Sequence, residues 1–281
     1  MNVSKAVLIT GCSSGIGWTT AKYLSDVGWR VYATARSVEK IASLEKSGCR
    51  LLALDVTDED SMASAVEEVE REEGAVGALV NNAGYSQSGA VEAVPMDKVR
   101  AQFETNVFGL VRMCQLVLPG MRRQGYGSIV NVSSMGGKLT FPGAGFYHAT
   151  KHAVEAISDA LRFEVEGFGV KVSVIEPGLI RTGFANAAVG SMDGPESGPY
   201  AGFDEAVAKA TMENYERGPI SRLAGEPGAV AEAIERALSA QNPRSRYAVT
   251  PSAHLFLGLR RLLPDGAWDA VLKTSYPRPG G

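Results

Sequence analysis

The sequence predicts an α/β protein built on a doubly wound parallel sheet of about seven strands, with helices on both faces. Short apolar, β-rich runs alternate with longer helical patterns along the chain, and this alternation is typical of such a sheet. Several runs are apolar on both alternating faces, as expected of parallel strands that helices cover on both sides. We predict a single domain over residues 1–281, a length that one α/β domain often has.

Each element follows from its own segment of sequence. The predicted strands are 6–10, 30–35, 50–56, 78–84, 128–134, 171–177 and 246–250. The predicted helices lie near 15–27, 58–73, 97–123, 146–167 and 227–240. Gly28, Gly48 and Gly74 suit helix ends, where glycine readily adopts the left-handed conformation. The segment TDED at 57–60 predicts an N-terminal capping box.

Two segments depart from the alternation. Residues 185–202 are small, rich in Gly and Pro and aperiodic, which predicts a loop within a substrate-loop region, 183–225. Loops of this length are usually functional or disordered, and we expect this one to order over a bulky substrate. The C-terminal tail, 251–281, has amphipathic stretches. It could cap a pocket, pack on a second subunit or contact a membrane surface, and packing is favoured.

Composition excludes several classes of function. The net charge is −3 and the pI about 5.8, so no basic field is available for a nucleic acid. Three separated cysteines without a CxxC pair indicate neither a disulfide framework nor a zinc cluster. No apolar run approaches the roughly 18 residues of a membrane span, and the N-terminus lacks a signal-peptide pattern. A cytoplasmic location is the simplest interpretation.

The segment TGCSSGIG at 10–17 follows the first strand and opens a helix. Gly11, Gly15 and Gly17 allow the backbone to turn tightly and approach a ligand. The helix N-terminus then presents free N–H groups and a positive dipole end to a phosphate. With a strand before it and a helix after it, the motif predicts a dinucleotide site.

The same letters also match GxSxG, the nucleophile elbow of serine hydrolases. That alternative is disfavoured because it explains neither Gly17 nor the pairing of Tyr147 with Lys151. Cys12, inside the turn, is interpreted as a small filler.

Tyr147 and Lys151 lie four residues apart in a predicted helix, so both occupy one helix face. A free tyrosine has a pKa near 10. An ammonium one turn away favours the phenolate, so we expect it to lower the pKa of Tyr147. A tyrosine tuned in this way is a workable general acid or base.

His148 and His152 share a helix face in the same way. They resemble HExxH, but Ala149 stands where the glutamate would be, so we predict no metal site. Both histidines are interpreted as facing solvent or an interface.

Six motifs now stand in order along the chain. They are TGCSSGIG, NNAG (81–84), Asn106 in TNVFG, Ser133 in VNVSS, YHATK (147–151) and PGLIRT (177–182). Together they resemble the short-chain dehydrogenase/reductase family, densely over 5–182. The resemblance implies a Rossmann-type fold and hydride transfer between a nicotinamide cofactor and a carbonyl. Residues 147–182 look like the hydroxysteroid and retinol dehydrogenase branch, which handles bulky apolar alcohols and ketones.

The resemblance also implies catalytic roles. Tyr147 would exchange a proton with the substrate oxygen, and Lys151 would also hydrogen-bond the nicotinamide ribose. Ser133 would polarise the substrate oxygen, and Asn106 would hold a water in a proton relay to Lys151. The family serine precedes the tyrosine by about a dozen residues, whereas the interval from Ser133 is fourteen.

The end of the second strand predicts the cofactor. Ala35 stands where an acidic residue would bind the adenosine ribose of NAD, and Arg36 follows it. A guanidinium is well shaped for a phosphate, and Ser13 could add a contact, so we predict NADP(H). The glycine turn and the resemblance supply the other expected contacts: Gly11, Ser14, Gly15, Ile16, Gly17, Asp55, Val56, Asn82, Ala83, Gly84, Pro177, Gly178, Ile180 and Thr182.

The predicted substrate is a bulky lipophilic alcohol or its ketone or aldehyde. Apolar candidates for its pocket are Met135, Leu139, Phe141, Phe184, Met192, Tyr200 and Phe203. Reduction of a carrier-bound 3-ketoacyl group is an alternative. A non-catalytic NADP-sensing or scaffold protein is another, but it would usually lack the tyrosine or the lysine. The family resemblance of the helices at 97–123 and 146–167 implies a homodimer or homotetramer.

Overall fold

Within residues 4–192 and 198–279, which the structure describes, seven parallel strands form one sheet in the order β3-β2-β1-β4-β5-β6-β7. The structure is a computed structural model. The strands are β1 (Ala6–Ile9), β2 (Arg30–Ala35), β3 (Arg50–Ala53), β4 (Ala78–Asn81), β5 (Gly127–Val132), β6 (Val170–Pro177) and β7 (Arg246–Val249). This sheet confirms the predicted fold class.

Helices cover both faces of the sheet. They are α1 (Gly15–Asp26), α2 (Glu59–Glu73), α3 (Met96–Phe103), α4 (Gly109–Gln124), α5 (Gly145–Val165), α6 (Phe184–Gly190), α7 (Ala201–Met212), α8 (Pro227–Ser239), α9 (Pro251–Leu262) and α10 (Asp265–Lys273). All residues of β1 and β4 are buried, because one core packs α1 and α8 on the sheet and a second packs α2, α4 and α5 on the other face.

The strand order places a crevice beside β1. The chain builds outwards from β1 to β2 and β3, and then returns to the other side of β1 with β4. Ile9 pairs with Val80, so the carboxyl ends of β1 and β4 are level. In open α/β sheets such a switch point is where ligands bind. The loops after β1 and β4 therefore meet at the expected site.

Two helix predictions need correction. A five-residue π-helical turn, Glu104–Phe108, interrupts the helix predicted at 97–123 and separates α3 from α4. The cap of α2 lies one residue later than predicted. Asp58 accepts a hydrogen bond from the Ser61 N–H at 3.0 Å, because the Thr57 hydroxyl is already bonded to Asp55.

The prediction of a loop over 185–202 is also wrong in part. Its first residues form α6, whose sequence FANAAVG contains three alanines, the residue with the highest helix propensity. Residues 193–197 of the predicted loop lie outside the described residues.

A 3-10 helix at Val38–Ser47 was not predicted. It ends at Gly48, whose φ is 86°, and this agrees with the prediction that Gly48 lies at a helix end. Among the described helices, none is long and apolar enough to cross a bilayer.

Candidate active site

A cavity of about 1140 Å³ lies along the carboxyl ends of the strands. The segments that follow β1 to β6 all contribute to its wall. The predicted cofactor contacts lining it are Gly11, Ser13, Ser14, Gly15, Ile16, Gly17, Arg36, Asp55, Val56, Asn82, Ala83, Gly84, Pro177, Gly178, Ile180 and Thr182. Of the predicted catalytic residues, Ser133, Tyr147 and Lys151 line it and Asn106 does not.

Two glycines of the turn, Gly11 and Gly17, have no room for a side chain. A Cβ on Gly17 would lie 2.3 Å from the Gly11 carbonyl oxygen, and one on Gly11 would lie 2.8 Å from the Ala83 Cα. Gly11 also has φ 74°, a conformation that glycine adopts without strain. The α1 N-terminus has no side-chain cap at Ser14 and no acidic residue in its first turn. Its N–H groups therefore remain available to an anion such as a pyrophosphate.

The side chain of Asn82 stabilises the glycine turn by hydrogen bonds to its backbone. Its side-chain amide donates to the Thr10 and Gly11 carbonyl oxygens at 2.9 and 3.0 Å, and its backbone N–H donates to the Thr10 hydroxyl. Both amide hydrogens are thus committed to the protein. We infer that Asn82 supports a cofactor by shaping the turn, although its side chain also lines the cavity.

Arg36 is exposed at the rim of the cavity, directly after the buried Ala35 at the end of β2. Among the residues that the structure describes, it makes no ion pair or hydrogen bond. A guanidinium without an internal partner is therefore available to a phosphate on a ligand.

Tyr147 and Lys151 lie one turn apart on α5, as predicted. The Lys151 Nζ lies 5.8 Å from the centre of the Tyr147 ring and donates to the Val132 carbonyl oxygen at 2.8 Å. Burial lowers the pKa of Lys151 to about 8, while the nearby Glu155 carboxylate opposes that shift. The ammonium form therefore still predominates at neutral pH.

The expectation that Lys151 lowers the pKa of Tyr147 is wrong for the protein alone. Burial raises the pKa of Tyr147 to about 12, and a hydrogen bond from Ser134 opposes the shift. The ring packs against Phe184 at 5.5 Å between centroids, which removes water from it. The Lys151 ammonium is bonded to a carbonyl instead of to the phenol oxygen. Tyr147 is therefore a neutral phenol, ready to donate a proton.

Ser134, the neighbour of Ser133, interacts with the Tyr147 hydroxyl, because it opposes the rise in the pKa of that phenol. Ser134 has extended backbone, with φ −167° and ψ 161°, so adjacent side chains point to opposite sides. The Ser133 Oγ is buried without a partner among the described residues and faces Gly137, whose added Cβ would lie 2.6 Å away. The substrate-polarising role of Ser133 stays a prediction. Ser134, which lies thirteen positions before Tyr147 and so is closer to the family interval, is a second candidate for that role.

Asn106 lies in the π-helical turn. Its amide donates to the Tyr85 carbonyl oxygen at 2.9 Å and to the Thr150 hydroxyl at 3.0 Å. Its Oδ1 accepts from the Tyr85 N–H at 3.1 Å. The side chain thus fastens the loop after β4 to α5, behind the cavity wall. A water-holding role for Asn106 stays a prediction.

The interpretation of His148 as solvent- or interface-facing is wrong, whereas His152 is exposed. His148 is 5% exposed, and its Nδ1–H donates to the Gly136 carbonyl oxygen at 3.0 Å. The glycine segment before α5 folds over this side of the helix. Burial lowers the pKa of His148 to about 4, so its ring is neutral.

Beyond Tyr147 the cavity wall is mostly apolar and comes from distant parts of the chain. We call this part the apolar chamber; its lining is Met135, Phe141, Phe184, Val207, Tyr215, Ile220, Phe256, Trp268, Val271 and Leu272. Met135, Phe141 and Phe184 were among the predicted lining residues. Leu139 is buried outside the lining, and Met192, Tyr200 and Phe203 do not reach it. Residues of α9 and α10 complete the chamber.

The end of β7 supports the segment PGLIRT in a way that no sequence pattern indicated. Thr250 has φ 89°, an outlier for a β-branched residue. Its hydroxyl pairs with Ser252 Oγ at 2.8 Å, and Ser252 Oγ accepts from the Leu179 N–H at 2.9 Å. Backbone strain of this kind clusters at functional sites. Thr250 and Ser252 hold the Pro177–Leu179 backbone at the cavity.

Comparison with known proteins gives the same assignment as the site. Residues 5–192 match the short chain dehydrogenase family. The chain belongs to this family. It is 37% identical over 273 residues to the 3-ketodihydrosphingosine reductase of Bacteroides thetaiotaomicron, with 96% of this chain and 97% of that protein covered.

Two further short-chain dehydrogenase family relatives extend the comparison. The NADPH-dependent 3-dehydrocapnine reductase of Ornithobacterium rhinotracheale is 34% identical over 274 residues, which cover 94% of each chain. A solved short-chain dehydrogenase from Streptomyces avermitilis is 35% identical, with a TM-score of 0.78 over 95% of this chain and 93% of that one.

This short-chain dehydrogenase is thus an NADP(H)-dependent oxidoreductase that acts on an alcohol and carbonyl pair. The residues present fit the cofactor, since the uncapped α1 N-terminus suits its pyrophosphate and Arg36 suits its 2′-phosphate. When bound, NADPH supplies the hydride. The chain's own residues supply the proton, the orientation and the apolar surroundings.

Arg36→Ala is expected to weaken NADPH binding by about ten- to a hundredfold and to leave NADH binding little changed. Charge-assisted hydrogen bonds contribute about 1.5–3 kcal/mol, which corresponds to that factor, and NADH lacks the 2′-phosphate. Titration of both cofactors by protein fluorescence measures the effect without a known substrate. Lys40→Ala, an exposed cation of the next turn that does not line the cavity, is the control. Equal weakening of both cofactors by Arg36→Ala would contradict the assignment.

Proposed function

We propose that the enzyme reduces a bulky lipophilic ketone, and oxidises the corresponding alcohol, with a long apolar chain preferred over a compact substrate. The observation that carries this proposal is the apolar chamber beyond Tyr147. Aromatic side chains from three regions meet there: Phe141 before α5, Phe184 in α6, and Phe256 with Trp268 in the tail. Such a chamber gains binding energy in proportion to the apolar area that it removes from water.

The proposed chemistry assigns one step to each polar side chain. The Ser134 hydroxyl donates to the substrate carbonyl oxygen, which draws charge onto that oxygen. Tyr147, a neutral phenol because burial raises its pKa to about 12, donates its proton to the developing alkoxide. The Lys151 ammonium lies beside the phenol ring and stabilises the negative charge that remains on Tyr147.

Two of the related enzymes support the substrate class. One is named for the reduction of 3-ketodihydrosphingosine and the other for the NADPH-dependent reduction of 3-dehydrocapnine. A steroid- or retinoid-like substrate would also need an apolar chamber, so the substrate panel includes both. We also propose a homodimer or homotetramer, supported by the exposed side chains of Phe108, at the end of the π-helical turn before α4, and Phe163 in α5.

The test is a substrate panel followed by NADPH absorbance. It contains 3-ketones of increasing chain length, a steroid, a retinoid and an aryl ketone. We expect kcat/KM to rise by about fourfold for each added methylene, the equivalent of about 0.8 kcal/mol, until the chamber is filled. A flat response to chain length, or a preference for pentan-3-one over the longer 3-ketones, would overturn the proposal.

A further inference from the structure

Three polar side chains face the cavity from the last turn of α7 and from the π-helical turn that follows it. Thr211, Asn214 and Tyr215 have the spacing i, i+3 and i+4, which places them on one helix face. All three line the cavity and are half-buried. The π-helical turn Glu213–Arg217 begins in the same place, and such turns occur frequently at functional sites.

None of these three side chains makes a hydrogen bond to another residue in the part of the chain that the structure describes. Their surroundings are apolar: the Tyr215 ring packs on Phe184 at 6.2 Å and on a small cluster around Met135. Half-buried polar groups without a partner are costly unless a ligand or water satisfies them. Three of them on one face form a ready set of donors and acceptors.

The three side chains lie close to the reacting centre. Phe184 contacts both tyrosine rings, at 5.5 Å from Tyr147 and 6.2 Å from Tyr215. Burial raises the pKa of Tyr215, and the charge that Tyr147 would carry raises it further. The two tyrosines therefore interact electrostatically, and Tyr215 stays a neutral phenol.

The charge of the cavity limits what this face can bind. Among the described residues, the charged side chains that line the cavity are Arg36, Asp55, Glu104 and Lys151. None of the four belongs to the lining of the apolar chamber, and Lys151 lies beside the Tyr147 ring. The face formed by Thr211, Asn214 and Tyr215 thus offers a hydroxyl, an amide and a phenol but no counter-ion, which favours an uncharged hydrogen-bonding partner over a phosphate or carboxylate.

We propose that Thr211, Asn214 and Tyr215 form a headgroup subsite, which binds an uncharged polar substituent, a hydroxyl above all, carried a few bonds from the ketone. The inference rests on the proposed function and narrows it. The substrate is then a long-chain ketone with a small polar headgroup, in which the chain occupies the apolar chamber and the headgroup contacts this face. The subsite fixes which way round the substrate binds.

A matched substrate pair tests the subsite: 1-hydroxydodecan-3-one and dodecan-3-one. We expect the unmodified enzyme to prefer the hydroxyketone by about tenfold in kcat/KM. Tyr215→Phe, Asn214→Leu and Thr211→Val each remove hydrogen-bonding groups at similar volume. Each should lower the ratio of kcat/KM for the hydroxyketone to kcat/KM for dodecan-3-one by about three- to tenfold, as expected for the loss of one neutral hydrogen bond.

Tyr200→Phe is the matched control, because Tyr200 lies at the start of α7 with its hydroxyl on Glu92, outside the cavity. NADPH titration shows that each variant is folded. If both ketones are reduced equally and the variants leave their ratio unchanged, the headgroup subsite is overturned and the proposed function stands. If neither ketone is reduced, both are overturned. If the variants slow both ketones alike, the three side chains only shape the chamber, and the subsite is again overturned.

Discussion

Tyr147→Phe is expected to lower kcat by about 10²- to 10⁴-fold, the range that a positioned general acid contributes, while NADPH binding stays within about twofold. The substitution removes one oxygen and keeps the ring that packs on Phe184. Burial holds the phenol neutral, so its proton is the one available to the developing alkoxide. Single-turnover kinetics with a verified ketone and excess NADPH measure the chemical step directly.

Tyr126→Phe controls for the loss of a half-buried phenol elsewhere, since Tyr126 lies before β5 and does not line the cavity. It should retain full activity. If Tyr147→Phe keeps more than about a tenth of the unmodified rate, another group supplies the proton, and Tyr147 is not the general acid.

The parts of the site that sequence predicted well are local in the chain. The glycine turn is formed by the eight residues 10–17 alone, and its steric constraints can be inferred from the types of these residues. The spacing of Tyr147 and Lys151 fixes their common helix face whatever surrounds them. The alternation of strands and helices likewise fixes a parallel sheet, and a parallel sheet brings the loops after β1 and β4 together.

The parts that sequence did not predict depend on what packs against each residue. His148 shares a helix face with His152, yet only His148 lies under the backbone carbonyl of Gly136. The pKa of Tyr147 depends on burial by Phe184, from a different segment. The apolar chamber brings Phe141, before α5, against Trp268 in α10, more than a hundred residues later. No local pattern in the sequence predicts contacts between residues that lie so far apart in the chain.

The extended backbone at Ser134 distinguishes the two adjacent serines as candidates for the substrate-polarising role. In an extended backbone, successive side chains point to opposite sides, so the two hydroxyls meet different neighbours although both serines line the cavity. The Ser134 Oγ accepts from the Gly136 N–H at 3.0 Å. Its own proton is thereby free to be donated to a ligand in the cavity that Ser134 lines.

Ser134→Ala is therefore expected to lower kcat/KM by about 10²- to 10³-fold, the usual cost of removing one donor to a developing oxyanion. Ser133→Ala is the matched control and should stay within about twofold. Its buried hydroxyl has no partner in the described part of the chain, so removing it should leave the protein equally or more stable. Thermal unfolding of both variants separates catalysis from folding, because Ser134 also bonds the Gly136 backbone. The reverse pattern, with Ser133→Ala inactive and Ser134→Ala active, would return the substrate-polarising role to Ser133.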